Sequence, residues 1–309
     1  MAGRPAPRLR RAAGVAPQIP TPARPLAFSV DFEWVFPTKH THQLDWKARR
    51  LRNTLAEGPV VAFVKIEIFS DVGCPWCFIG KRRFERALES FEHRDRVEVE
   101  WKSFQLDPTL PEHDHRQEID YLSEAKGMPR EQVTAMLTHV TEQAAAEGLD
   151  YDFDRLVVAN SWKAHRVIQR AKAVSLQTAE HLEEQLFRAH FEGGRNIGDE
   201  EVLVELGTAA GLTAEQVHEA LSEDRWETAV KQDLATAQAL GVTGVPFFVL
   251  GRKYGISGAQ PTEVFTQALE QSWAEFQPLQ MVQPAAGNPA GAGGPDGLNG
   301  QACGPQGCD

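Results

Sequence analysis

The run Cys74-Pro75-Trp76-Cys77 stands where an apolar strand pattern meets a charged amphipathic helix pattern, and this junction restricts the fold more than any other stretch. Residues 60–69 are rich in Val, Ile and Phe, broken only by Lys65 and Glu67, and read as a nearly continuous apolar strand. Ser70-Asp71-Val72-Gly73 supplies a turn. Pro75 suits the first helical position, where its missing N–H would be unpaired anyway. Phe78, Phe84, Leu88 and Phe91 then fall near helical spacing, with Lys81, Arg82, Arg83, Glu85 and Arg86 between them. Val97, Val99 and Trp101 alternate with Glu98, Glu100 and Lys102, as in a half-buried strand. The pieces make a βαβ unit with the cysteine pair opening its helix.

From Asp107 to about Leu240 the pattern is almost wholly helical. Ala164, Val167, Ile168, Ala171 and Val174 form one apolar face behind an Asn160 cap; Leu182, Leu186 and Phe187 form another. Asp199, Thr213 and Asp224 read as further helix starts. Strand character returns over residues 245–250, a turn at Gly251 leads into 253–257, and Pro261 and Thr262 open a last helix carrying Val264, Phe265, Leu269 and Trp273. Two sheet halves separated by helices predict one α/β domain with an inserted helical lobe. The expected division is an extension over 1–59, a first half over 60–106, a helical insert over 107–240, a second half over 241–276 and a flexible tail over 277–309.

Composition excludes some functions. The net charge of −11 disfavours general nucleic-acid binding, which needs clustered Lys and Arg, and no run of 18 apolar residues suggests a membrane span. Residues 1–60 are basic, with ten Lys/Arg against four acids, and are expected to be an extension without a role in the fold. Their best apolar stretch, residues 25–30, is stopped by Asp31 and Glu33, which does not support an export signal and points to the cytoplasm. Four cysteines are too few for a disulfide-stapled scaffold, and they fall as two close pairs, Cys74/Cys77 and Cys303/Cys308. Paired cysteines without export point to redox chemistry or metal.

A helix start offers unpaired N–H groups and a positive dipole end, both of which favour a thiolate. In general, a thiol pKa lowered from about 8.5 to about 6.5 raises the thiolate fraction at pH 7 from roughly 3% to about 75%. Cys74 is then the attacking sulfur, and Cys77, one turn along, displaces the mixed disulfide. Zinc is the competing reading, since CxxC is half of many zinc sites. It is disfavoured because Cys303/Cys308 hangs on a Gly-, Ala- and Pro-rich tail with no His nearby, so no metal is assigned.

The segment Glu67-Ile68-Phe69-Ser70-Asp71-Val72-Gly73-Cys74-Pro75-Trp76-Cys77-Phe78-Ile79-Gly80 resembles the active-site segment of DsbA-family oxidoreductases. It is most similar to the FrnE branch, which also holds the 2-hydroxychromene-2-carboxylate isomerases and kappa-class glutathione transferases. Asn160-Ser161-Trp162-Lys163-Ala164-His165-Arg166 is similar to a helical segment of that branch, and Gly241-Val242-Thr243-Gly244-Val245-Pro246-Phe247-Phe248 to its proline loop. The resemblance implies a thioredoxin fold with an inserted α-helical domain, a cis Val245–Pro246 peptide, and a Val245 backbone that pairs with an extended substrate. Glu67 would correspond to the buried acid that moves protons to the second cysteine, although it stands one residue farther from the CxxC than in DsbA. His165 is a further candidate for the site.

Retention of both cysteines favours exchange with protein thiols and disulfides over a glutathione-dependent isomerase or transferase. A non-enzymatic thiol metal-binding or stress protein is the alternative from another class. No cofactor is expected; glutathione or a thioredoxin-like reductant enters as a redox partner. The tail is implied to pass a disulfide to or from the core pair, as in FrnE-type proteins with a second C-terminal pair. A coil of about 27 residues reaches roughly 26–31 Å, enough to bring Cys303 and Cys308 to Cys74.

One departure carries a prediction. Trp76 stands where DsbA oxidants place a His, so the thiolate lacks a cationic imidazole beside it. The Cys74/Cys77 couple is expected to be less oxidising than about −120 mV, the DsbA value, in equilibration against glutathione buffers. A potential at or above that value contradicts the role given to Trp76.

Overall fold

The computed structural model describes residues 63–112 and 114–276. Four strands form one sheet in the order β2-β1-β3-β4. Strand β1 (Val64–Ser70) is central: it pairs in parallel with β2 (Val97–Ser103), Ile68 opposite Trp101, and antiparallel with β3 (Phe247–Leu250), Ile68 opposite Phe248. Strand β4 (Tyr254–Ser257) closes the edge antiparallel to β3. Gly251 (φ 57°) and Arg252 (φ 58°) make the left-handed turn between β3 and β4. Helix α1 (Pro75–Ser90) joins β1 to β2, and the βαβ unit, the helical block and the closing ββα unit follow in the order predicted.

Among the described residues, seven α-helices lie between the sheet halves: α2 (Glu118–Lys126), α3 (Arg130–Ala146), α4 (Trp162–Val174), α5 (Leu176–Phe187), α6 (Glu200–Ala209), α7 (Ala214–Ser222) and α8 (Asp224–Ala239). Asp199 caps α6 by accepting from the Glu201 and Val202 N–H groups, and Thr213 forms a full capping box with Gln216. The α4 cap differs from expectation by one residue. Ser161 holds the cap position, and the Asn160 side chain reaches over it to accept the Trp162 N–H at 2.9 Å. Helix α9 (Thr262–Ala274) completes the chain's second sheet half.

Alternation along β1 splits the core. Ile66 and Ile68 point to the face covered by α1 and α9, where Phe84, Phe248, Phe265 and Leu269 are buried with them. Phe69 points to the other face, with Ala237 of α8, Val242 and Val249. A larger cluster joins the start of α1 to the helical lobe: Phe78 stacks on Phe187 at 4.9 Å, and Cys77 and Ile79 are buried beside Leu182, Leu186 and Ile168.

Part of the charged side of α1 is also covered. Lys81 is 3% exposed and pairs with Glu85 and, from α5, Glu184. Arg83 donates to Glu147 at 2.7 Å, to Gln143 at 2.8 Å and to the Ala259 carbonyl at 2.7 Å. The lobe therefore grips the cysteine-bearing helix by ion pairs on one side and by aromatic packing on the other. Among the described residues no helix is long and apolar enough to cross a membrane.

Candidate active site around the Cys74 and Cys77 pair

Cys74 is the N-cap of α1, with extended backbone (φ −100°, ψ 114°), and Pro75 occupies the first turn. No side chain caps this end, so the helix's free N–H groups face the cysteines. The turn is closed by two backbone bonds, Cys74 N–H to the Asp71 carbonyl at 2.9 Å and Cys77 N–H to the Cys74 carbonyl at 3.0 Å. Both cysteines are free thiols and buried, at 4% and 1% exposure.

The proline loop comes to this turn from the far end of the chain. The Val245–Pro246 peptide is cis, and the Val245 carbonyl lies 3.7 Å from the Cys74 sulfur. Gly80 makes the approach possible, since a Cβ there would stand 3.0 Å from Pro246 Cγ. The Pro246 carbonyl accepts the Gly258 N–H at 2.8 Å, anchoring the loop to the end of β4. Trp76 is half-buried, its ring centroid 6.1 Å from that of His139 on α3. Tyr151 donates its hydroxyl to the Pro75 carbonyl at 2.7 Å, so the lobe also holds the first turn of α1.

Asp71 secures the turn from below. It is 3% exposed, and its carboxylate accepts the Gly73 N–H at 3.1 Å and the Leu106 N–H at 2.7 Å. His165, 1% exposed on α4, places Nε2 3.4 Å from the same carboxylate. Burial pushes the Asp71 pKa up, but the His165 hydrogen bond and charge and the two backbone N–H groups outweigh it and leave the carboxyl below its ordinary value. Cys77 goes the other way. Burial and the neighbouring Cys74 push its thiol well above the ordinary value, against weaker opposition from the Asp71 backbone and the Ser70 hydroxyl.

The structure thus brings Cys74, Cys77, Pro75, Trp76, Val245 and Pro246 together, with His165 supporting the loop through Asp71 and not touching the sulfurs. It does not bring Glu67 there. Glu67 is neither solvent-facing nor beside Cys77: it is 1% exposed and paired with Arg252 at 2.7 Å, on the sheet face opposite Ile68 and Ser70. The one-residue offset noted in the sequence turns its side chain to the wrong face. Cys303 and Cys308 lie outside the described residues.

Two groups near Cys77 escaped the sequence reading. Ser70 is buried at 1% and acts on the Cys77 thiol, and Glu183 of α5 is buried at 2% and interacts with Ser70. Glu183 had a legible signal, an acid inside the apolar stripe of Ala179, Leu182, Leu186 and Phe187.

The chain matches the DSBA-like thioredoxin domain family over residues 65–270. It is 28% identical over 211 residues to the uncharacterised protein YwbO of Bacillus subtilis, covering 67% of this chain and 96% of that one. Among solved structures, a probable DsbA oxidoreductase from Streptomyces coelicolor superposes with a TM-score of 0.68 at 42% identity, over 80% of this chain and 98% of its own. The cytosolic disulfide reductase DsbM of Pseudomonas aeruginosa, solved with GSH, shares the fold at a TM-score of 0.50 and 21% identity, over 68% of this chain and 99% of its own.

The Asp71 contacts yield a prediction with a defined sign. A folded-state pKa below the ordinary 3.8 means the carboxylate stabilises the fold above that value and loses its contribution as pH falls through the lower folded value. Asp71→Asn is expected to lower the urea midpoint most at pH 6–7 and progressively less below pH 4. A difference between the two proteins that stays constant down to pH 3 contradicts this role.

Proposed function

Because the chain belongs to the DSBA-like thioredoxin domain family, we propose that it is a thiol–disulfide oxidoreductase acting on protein thiols and disulfides in the cytoplasm. The observation that carries the reading is the Cys74 sulfur at the open N-terminus of α1, 3.7 Å from the Val245 carbonyl of the proline loop. An extended substrate segment that hydrogen-bonds the Val245 backbone brings its disulfide to that sulfur.

The Cys74 thiolate attacks one sulfur of the substrate disulfide, forming a mixed disulfide and releasing the other sulfur as a thiolate, which takes up a proton. Cys77 then loses its proton and attacks Cys74, closing the Cys74–Cys77 bond and releasing the second substrate thiol. The substrate is reduced by two electrons and the protein dithiol oxidised; with thiol substrates every step runs in reverse. Retention of the second sulfur next to the first supports this dithiol cycle over a glutathione-dependent isomerase or transferase, which needs no resolving thiol.

The same proposal gives the tail pair a role. Cys303 or Cys308 attacks oxidised Cys74, and its partner closes a tail disulfide while Cys74 and Cys77 return to thiols. Glutathione or a thioredoxin-like reductant then reduces the tail. The support is sequence: a Gly- and Pro-containing CxxxxC on a linker of sufficient reach.

Insulin reduction tests the core reading. Cys74→Ser is expected to abolish activity, and Cys77→Ser to stall at a Cys74 mixed disulfide that denaturing mass spectrometry detects. Activity that survives Cys74→Ser rejects the assignment. For the tail, peptide mapping of the Cys77→Ser protein is expected to find Cys74 joined to Cys303 or Cys308. Its absence removes the relay while leaving the core cycle intact.

A further inference from the structure

The dithiol cycle proposed above requires Cys77 to release a proton before it attacks and to recover one when it leaves. Its surroundings make both steps difficult. The sulfur is 1% exposed, and burial and Cys74 hold its proton tightly. Bulk water does not reach it, so a protein group must take the proton.

The nearby candidates separate by geometry. Asp71 accepts the Gly73 N–H on one oxygen and the Leu106 N–H on the other, with His165 beside the first, and these donors hold its pKa below the ordinary value, so it is a poor acceptor for the thiol proton. His165 is engaged with Asp71 through Nε2, and although its buried Nδ1 has no hydrogen-bond partner, it is not among the main groups acting on the Cys77 thiol. Tyr151 already donates its hydroxyl to the Pro75 carbonyl, and its phenol is pushed further towards the protonated form by burial, with the charges of Cys74 and Cys77 adding to it. Glu67 is across the sheet, paired with Arg252. That leaves Ser70 and Glu183. Neither Ser70 Oγ nor Glu183 Oε1 has a hydrogen-bond partner at ordinary length, and both are buried. Ser70 nevertheless acts on both the Cys77 thiol and the Glu183 carboxyl. An unpartnered buried hydroxyl that acts on the thiol, and an unpartnered buried carboxyl oxygen on the acid that this hydroxyl also acts on, call for an explanation.

We propose that Glu183, acting through the Ser70 hydroxyl, holds the proton that Cys77 gives up and takes back in each cycle. In the closing step the Cys77 S–H proton passes to Ser70 Oγ as the Ser70 hydroxyl proton passes to Glu183. The Cys77 thiolate attacks Cys74 Sγ, and the carboxylate becomes a carboxylic acid. In the opening step the bond to Cys77 breaks, its sulfur leaves with the electron pair, and the Glu183 proton returns by the same route. No external oxidant or base enters the relay, because the redox partner is the substrate disulfide or thiol itself.

The electrostatics fit such an exchange. Burial pushes the Glu183 pKa up to about 7, restrained by Ser70, by the positive charge of His165 when protonated, and by Lys81 of α1 and Lys172 of α4. A carboxyl that titrates there can both accept and return a proton at neutral pH. Glu183 touches no reacting sulfur: it is a positioning residue for the proton, and Ser70 is the group through which it acts on the thiol.

The test reads the closing step alone. The full chain carrying Cys303→Ser and Cys308→Ser, so that the tail thiols cannot compete, is reduced, mixed with oxidised glutathione at concentrations where closure limits, and followed by tryptophan fluorescence from pH 5.5 to 9; the same chain with Cys77→Ser added supplies the Cys74 attack rate for division. With Ser70 and Glu183 intact the corrected closure rate is expected to rise through an inflection near pH 7 and level off. Glu183→Gln, which keeps the shape but holds no proton, is expected to lose that inflection and to close about tenfold more slowly at pH 7.5, within the range seen for general acid–base groups. Ser70→Ala, with thermal melts to establish that each variant is folded, is expected to do the same. A wild-type profile in either folded variant overturns the relay, since a residue that merely fills space would lower the melting temperature without moving the inflection. Wild-type protein that never forms the Cys74–Cys77 bond overturns the dithiol reading itself, and the relay with it.

Discussion

The Asp71 carboxylate joins three parts of the molecule that are far apart in sequence. It sits just past the end of β1, accepts the Gly73 N–H inside the cysteine turn and the Leu106 N–H just after β2, and faces His165 on α4 of the helical lobe. A carboxylate this buried is strongly unfavourable unless it is hydrogen-bonded, and here two backbone donors and an imidazole face it. The position of Cys74 follows from this, because the Asp71 carbonyl also accepts the Cys74 N–H that starts α1. The sulfur can face Val245 only while that turn is held.

The strand, cysteine pair and helix were readable because local patterns determine them. An apolar run, a Gly-containing turn and a proline at the first helical position all act within a few residues. The return of strand character after a long helical block likewise indicated an inserted lobe, and the resemblance of the proline-loop segment pointed to its place beside the cysteines. What could not be read is what depends on which elements meet. Arg83 stands in sequence only as one of the charges between the apolar positions of α1, yet it is half-buried against the end of α3, bonded to Gln143 and Glu147. Nothing local to Gly80 shows that Pro246, 166 positions later, packs against it.

Glu67 and Glu183 show the same limit in opposite senses. Glu67 was the natural acid to choose, being on the right strand near the cysteines, but strand alternation makes one residue decisive and turns it toward Arg252. Glu183 is distant in sequence, on a helix whose apolar stripe was correctly recognised as core. An acid within such a stripe is rarely structural filler, since burial without a partner costs stability.

Two buried acids near one thiol are thus driven apart by the donors around them. Asp71, filled with backbone N–H groups and facing His165, stays charged and holds the loop. Glu183, with an unpartnered oxygen and only the more weakly acting Ser70, His165, Lys81 and Lys172 against its burial, is raised to about 7. Such divergence separates a structural carboxylate from one that can carry a proton. The arrangement has a thermodynamic consequence. Because the folded Glu183 pKa lies above the ordinary 4.5, the fold binds a proton more tightly than the unfolded chain between those values, and stability falls as pH rises through about 7. A core that needed only to be stable would place a Leu or Gln there. The proton relay proposed for Glu183 gives an acid at this site a reason that stability alone does not.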